Sequence, residues 1–283
     1  MQTVTLKAPA KINLYLKVLN KRPDGYHDIE TVFEKIDLCD EITLKRRKRG
    51  VKVLCRHKGV PQDERNLGAR AARALLKKTN RSDGVQIRIT KRIPVASGLG
   101  GGSSDAASVP LGLNKLLGLR QSRRQLLDVA GRVGADVPFF ILPAARAIGR
   151  GKGEILSPLR VKRKNWYVLV VPPVRVSTRR MYQILRMPLT TRPCGVKITH
   201  KYSYNSFEPV LRKKYKEIQE IKKALKSHGA KTTLVSGSGP CVFGIAKTGK
   251  EALDLSEKLR AKGKNWQVIV AKTYPNSKNV KEA

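Results

Sequence analysis

Between Ile93 and Ala107 the sequence reads IPVASGLGGGSSDAA, with four glycines, Gly98 and Gly100 to Gly102, inside five residues. A strand leads in and a helix leads out, which is how a phosphate cradle is built. Backbone without side chains lets several N–H groups approach one anion, and the helix N-terminus adds partial positive charge. The cradle so defined comprises Pro94, Val95, Ala96, Ser97, Gly98, Leu99, Gly100, Gly101, Gly102, Ser103 and Ser104. It fits neither common phosphate loop. A Walker loop needs a lysine after its last glycine, where Ser103 and Ser104 stand, and a dinucleotide fingerprint needs a third glycine where Ser103 sits. The two hydroxyls can instead bond a phosphate or complete a Mg²⁺ shell, with Ser104 the candidate ligand. A tight turn or a linker is the alternative.

Other residues that could do chemistry lie far from this run. In TVTLKAPAKINLYLKVL, Ile12, Leu14, Leu16 and Val18 alternate with Lys11, Asn13, Tyr15 and Lys17. This predicts a strand with one buried face and with Lys11 and Asn13 side by side on the open one. RPDGY reads as a turn, and Tyr26 and His27 end it. DEITLKRRKRGVKVLC is expected to form a hairpin with a basic tip. Asn66 is the predicted N-cap of the helix NLGARAARALLKK. Asp136 sits in a short turn before Pro138, after a helix that opens on a Ser122–Gln125 capping box and stops near Gly134.

The elements that must position these residues follow from the same patterns. VQIRITKRI alternates, with Val85, Ile87 and Ile89 on one face, and feeds the glycine run. The next helix should start near Ser103, and Pro110, about two turns in, predicts a kink or an early end. NWYVLVV is a buried strand, Ser177 or Thr178 caps a short helix, and a long helix is expected from Glu208 to Ser227, closed by Gly229. TTLVSGSGPCVFGIA reads strand, loop, strand. A helix over Lys250 to Ala261 and a strand over Gln267 to Ala271 follow. The order β, α, α, β, β, α, β suits a ferredoxin-like sandwich with one extra helix. A boundary near residue 155 divides the chain into 1–155 and 156–283.

Composition narrows the class. With 40% hydrophobic and 28% charged residues the chain can bury a core. Lys and Arg number 59 against 21 Asp and Glu, a formal charge of +38, which attracts polyanions. The clusters Lys45–Arg49, Lys162–Lys164 and Arg212–Lys214 read as solvated surface. Aromatics at 5% leave little for base stacking, and specific nucleic-acid binding is not expected, although non-specific polyanion binding is compatible with the charge. Lys7 and Lys11 interrupt any signal-peptide core, and the longest apolar run, around Trp166 to Val174, holds two prolines; a cytoplasmic protein without a membrane partner is expected. Cys39, Cys55, Cys194 and Cys241 form no CxxC pair and are expected as free thiols.

PVASGLGGGSSDAA resembles the PxxxGLGxSSxxA signature of the GHMP kinases, a superfamily with galactokinase, homoserine kinase, mevalonate kinase and phosphomevalonate kinase. APAKINLYLKVLNKRPDGYHDIET, RNLGARAARALL, GADVPFF and VSGSGPCVF are similar to the branch acting on a cytidine diphosphate-linked methylerythritol. The similarity runs in order from about Pro9 to Phe243. It implies an α+β, two-domain GHMP kinase fold: an N-terminal ribosomal-protein-S5-domain-2-like domain binding ATP and a C-terminal ferredoxin-like domain binding substrate. It implies an ATP-dependent kinase of the non-mevalonate isoprenoid precursor route that phosphorylates the 2-hydroxyl of that alcohol, with Mg²⁺ bridging the ATP phosphates.

Residue roles follow from the same resemblance. Asp136 matches the catalytic base, and Lys11 the lysine that offsets developing negative charge. Asn13, Tyr26 and His27 match the wall that receives the cytidine end, Tyr26 stacking on the base and His27 bonding its edge. Asn66 and Thr178 match further substrate contacts, and Ser236 to Gly239 a second glycine loop. From the residues alone, Lys11 could be a solvated strand lysine, Asp136 a capping aspartate and SGSG a hairpin turn. Two other functions stay open: another member of the superfamily, which the GYHDI segment opposes, and a basic nucleic-acid-binding protein. A monomer or weak homodimer is expected.

Overall fold

In the computed structural model, which describes residues 2–161, 163–185, 203–262 and 264–275, the chain opens with two long strands, β1 (Thr3–Lys21) and β2 (His27–Arg47). The RPDGY turn joins them as expected. The Arg22 amide donates to the Tyr26 carbonyl at 2.8 Å, and Gly25 takes φ +81°. There follow β3 (Val51–Cys55), α1 (Leu67–Lys78), β4 (Gly84–Thr90), α2 (Gly101–Leu116), α3 (Arg123–Val133) and α4 (Val137–Ile141). The chain continues through β5 (Arg146–Arg150), β6 (Ile155–Leu159), β7 (Trp166–Val171), α5 (Thr178–Ile184), β8 (Tyr204–Asn205), α6 (Glu208–Lys214) and α7 (Lys216–Ser227). It ends on β9 (Thr233–Val235), β10 (Val242–Ala246), α8 (Gly249–Arg260) and β11 (Gln267–Lys272).

Two compact units result: the described residues within 1–10, 38–95 and 100–143, and those within 11–37, 96–99 and 144–275. Both long strands, and the glycine run itself, pass from one unit to the other. In the first unit β4 pairs antiparallel with β2 (Ile42 opposite Ile89) and parallel with β3 (Val53 opposite Ile87). The expected β2–β3 hairpin is therefore not formed, because β4 lies between the two strands. It can enter there because Gly84 passes close over the basic tip: a Cβ on Gly84 would stand 2.3 Å from the Arg49 carbonyl carbon. The alternating Val85, Ile87 and Ile89 are buried, each worth about 1.5–3 kcal/mol.

α2 also departs from expectation. It starts at Gly101, two residues before Ser103, and passes through Pro110 to Leu116 without ending early. Proline removes one backbone bond, but every residue from Ser104 to Pro110 is buried, and packing outweighs propensity. Gly112 lets the helix lie on Leu6 and Leu44. The Ser122–Gln125 capping box, the α3 stop at Gly134 and the Asn66 cap are formed as expected.

In the second unit β7, β9, β10 and β11 form an antiparallel sheet in the order β11-β7-β10-β9. With α7 and α8 this is the ferredoxin-like βαββαβ order, and α5 and α6 are additional. The long helix expected from Glu208 to Ser227 is two helices. Tyr215 is extended (φ −124°, ψ 101°), and its ring packs against the core that Leu211, Ile218, Ile221 and Leu225 build. Ser177, rather than Thr178, caps α5. β1 is exposed at Thr3, Thr5 and Lys7 but covered on both faces around Lys11: Lys11 is 4% exposed and Asn13 3%, so the face expected to be open there is closed. Among the described residues Cys39, Cys55 and Cys241 form no disulfide; Cys194 and the Lys162 position of the second basic cluster lie outside the described residues. Among the described residues no helix is long and apolar enough to cross a membrane.

Candidate active site

The glycine run is a strained loop rather than a linker. Ala96 (φ +56°), Gly98 (φ +82°) and Gly100 (φ +71°) all lie in the left-handed region, so alternate residues turn the backbone before α2 begins. Gly98 cannot be replaced without movement, because a Cβ there would stand 2.3 Å from the Ser236 carbonyl oxygen. That contact is the second glycine loop. SGSG turns β9 into β10, as a hairpin should, and it also packs on residues 96–99. The Ser236 hydroxyl donates to the Gly98 carbonyl at 3.0 Å, and the Cys241 amide to the Ser97 carbonyl at 3.1 Å. The loop exit is the N-terminus of a sixteen-residue helix with no acidic residue in its first turn, which leaves its partial positive charge to a ligand.

Ser103 is half-buried, while the Ser104 hydroxyl is fully buried and makes no hydrogen bond. A buried hydroxyl without a partner costs about 1–3 kcal/mol. Among the described residues no three His, Cys, Asp or Glu side chains converge to hold a metal. The unpartnered hydroxyl oxygen of Ser104 is a donor that would fit Mg²⁺.

Lys11 belongs to the second unit with the middle of the loop. Its amide donates to the Leu99 carbonyl at 2.9 Å, which ties β1 to the loop. Its Nζ donates to Asn13 Oδ1 at 2.6 Å and lies 5.7 Å from the Phe33 ring centre. Asn13 Nδ2 in turn donates to Thr31 Oγ1 at 2.8 Å, so both predicted residues form one buried chain. A Cβ on Gly237 would stand 3.2 Å from Lys11 Nζ, which puts the ammonium beside the second glycine loop. This is not a solvated strand lysine.

Asp136, in the first unit, occupies the N-cap position of α4, but its side chain makes no capping hydrogen bond. The capping explanation for this aspartate therefore fails. Tyr26 is 58% exposed, and Lys152 Nζ lies 4.7 Å from its ring centre. His27 stacks on Tyr182 with centroids 4.8 Å apart, and Tyr182 meets Phe207 edge-on. Burial, then the Lys21 charge, hold the His27 imidazole below its usual range and favour the neutral ring. Asn66 caps α1 through Oδ1 and donates to the Pro61 carbonyl through Nδ2, so its side chain is committed to the helix start and to the segment before it. Thr178 is exposed and shares a 2.7 Å hydrogen bond with Ser238 of the second glycine loop.

Sequence reasoning missed two features. Tyr182 lies one helical turn beyond Thr178 on α5, a spacing that could have found it. Beneath α2, Lys91 Nζ joins Asp40 and, at 2.9 Å, Asp105. Burial pushes the Asp105 carboxyl up to about 7, with Asp40 adding to the shift and Lys91 opposing it. Burial alone would lower Lys91, yet the two carboxylates hold it above the usual lysine range.

Residues 66–143 match the GHMP kinases N terminal domain, and residues 197–265 match GHMP kinases C terminal. A 4-diphosphocytidyl-2-C-methyl-D-erythritol kinase of Geobacter metallireducens is 43% identical over 96% of this chain and 99% of its own. The chain belongs to this family of GHMP kinases. The corresponding enzyme of Geobacter sulfurreducens is 42% identical over 96% of this GHMP kinase and 100% of its own length. A crystal structure of 4-(cytidine 5'-diphospho)-2C-methyl-D-erythritol kinase superposes with a TM-score of 0.82 at 33% identity, covering 96% of this chain and 100% of that one. A homoserine kinase from Cytophaga hutchinsonii shares the fold, with a TM-score of 0.74 at 18% identity and coverage of 98% and 96%. The two-domain α+β fold implied by the sequence motifs is the fold of this GHMP kinase family.

Proposed function

We propose that this GHMP kinase transfers the γ-phosphoryl group of ATP to the 2-hydroxyl of 4-diphosphocytidyl-2-C-methyl-D-erythritol, in the isoprenoid precursor pathway. The observation that carries this is 43% identity to a kinase of that name over 96% of the chain. The loop from Pro94 to Ser104 cradles the ATP phosphates on its N–H groups and on the N-terminus of α2. Ser104 would hold Mg²⁺, which when bound would supply charge neutralisation to the phosphate oxygens. Asp136 takes the proton of the acceptor hydroxyl as its oxygen bonds the γ-phosphorus. The bond from that phosphorus to the bridging oxygen breaks, and ADP leaves. Lys11, fixed by Asn13, offsets the negative charge that develops on the transferring group.

The cytidine end is received by Tyr26 and His27. The exposed Tyr26 ring offers a stacking face, and His27, kept neutral, offers one nitrogen to accept and one to donate. Thr178 borders the substrate through Ser238, and Asn66 acts through the helix it caps. The enzyme works in the cytoplasm. The Asp136→Asn variant tests the base. Turnover falls by at least about 100-fold while the ATP dissociation constant stays within about twofold. Normal turnover in that variant contradicts the assignment.

A further inference from the structure

The glycine loop leaves and rejoins the first unit, and one buried group holds both of its ends. Asp40 Oδ1 accepts the amides of Arg92 (2.6 Å) and Ile93 (2.9 Å), the residues that lead into the loop. Asp40 Oδ2 pairs with Lys91 Nζ, which also donates to Asp105 Oδ2 at 2.9 Å, at the start of the second turn of α2. A Cβ on Gly101 would stand 3.1 Å from Lys91 Nζ, so the ammonium lies directly under the first residue of the helix. The three side chains are 6% (Lys91), 0% (Asp40) and 5% (Asp105) exposed.

We propose that Lys91, Asp40 and Asp105 form a clamp that sets the phosphate-binding shape of the glycine loop, making them positioning residues for ATP. The proposal rests on reading the loop as the ATP cradle. Three left-handed residues, one of them Ala96, lie between the clamped ends. For Ala96, which is not a glycine, that conformation persists only where the surroundings over-determine it. Attraction of phosphate by charge does not explain the group, because one ammonium against two carboxylates sums to zero or −1. Nor is the group optimised for stability. Asp105 Oδ1 is buried with no hydrogen bond, and apolar residues of similar volume often serve a core as well as a buried ion pair. What the three residues provide is a fixed distance between the strand end and the helix start.

The test is calorimetric ATP binding, with Michaelis constants for both substrates, on wild type, Asp105→Asn and Lys91→Met. Asp105→Asn keeps the side-chain shape and an oxygen for Lys91. It should weaken ATP binding by more than about threefold, with the acceptor KM within about twofold. Lys91→Met should weaken ATP binding further. If it fails to fold, Asp105→Asn decides alone. ATP affinity within about threefold of wild type in Asp105→Asn overturns the clamp, as does a loss shared equally by ATP and acceptor. Wild-type protein that binds ATP but phosphorylates no alcohol sinks the proposed reaction, and the binding constants still decide the clamp.

Discussion

Tyr26 shows how an exposed residue can be more informative than a buried one. An aromatic side chain left 58% exposed at a turn, with a cation 4.7 Å from its ring centre, buries little area for its own fold. Stacking a base on it is worth about 1–3 kcal/mol. Tyr26→Ala should therefore raise the KM for the cytidyl substrate about 5- to 150-fold and leave the KM for ATP and the melting temperature nearly unchanged. Equal KM values for wild type and variant would remove Tyr26 from the site. Lys11 and Asp136 carry the opposite lesson. Their types and motifs were readable, but the burial of Lys11 was not. Alternation describes one strand, whereas the groups beside Lys11, the Phe33 ring and the loop at Gly237, come from elsewhere in the chain.

The elements are held in place by close backbone approaches. Gly98 combines φ +82° with a Cβ position 2.3 Å from the Ser236 carbonyl oxygen. Gly98→Ala should cost more than about 2 kcal/mol in urea unfolding and weaken ATP binding, because the backbone itself must shift. A variant of wild-type stability and affinity would show that the two glycine loops do not constrain each other. Much at this scale was legible: the caps at Asn66 and Ser122, the RPDGY turn, and the period of β4. The misreadings have physical causes. β4 displaced the expected β2–β3 hairpin because strand order is set by long-range pairing, and only Gly84 hinted at the close crossing. Pro110 did not end α2 because the helix is buried around it. Tyr215 splits α6 from α7 with neither proline nor glycine to mark it. The Lys91 clamp joins residues up to 65 apart in sequence, Asp40 to Asp105, and no local spacing reveals it.

For the whole molecule, the charge of +38 is the least ordinary property. The clusters Lys45–Arg49 and Arg212–Lys214, with Arg163 and Lys164, are exposed, as solvated surface should be. A field of this sign speeds the encounter with anionic substrates, and salt screens it with a Debye length of about 10 Å at 0.1 M. The quotient kcat/KM for ATP should fall between about 50 and 300 mM salt while kcat holds. A salt-independent quotient would confine the charge to solubility. The reaction makes one new bond, from phosphorus to the acceptor oxygen. Phosphorus NMR of the protein with Mg-ATP and 4-diphosphocytidyl-2-C-methyl-D-erythritol follows it directly. The proposed reaction gives one new phosphate monoester signal per ADP formed, with the cytidine diphosphate signals kept, and no such signal with mevalonate or homoserine. ADP without a new monoester, or a monoester formed only on mevalonate or homoserine, would contradict it.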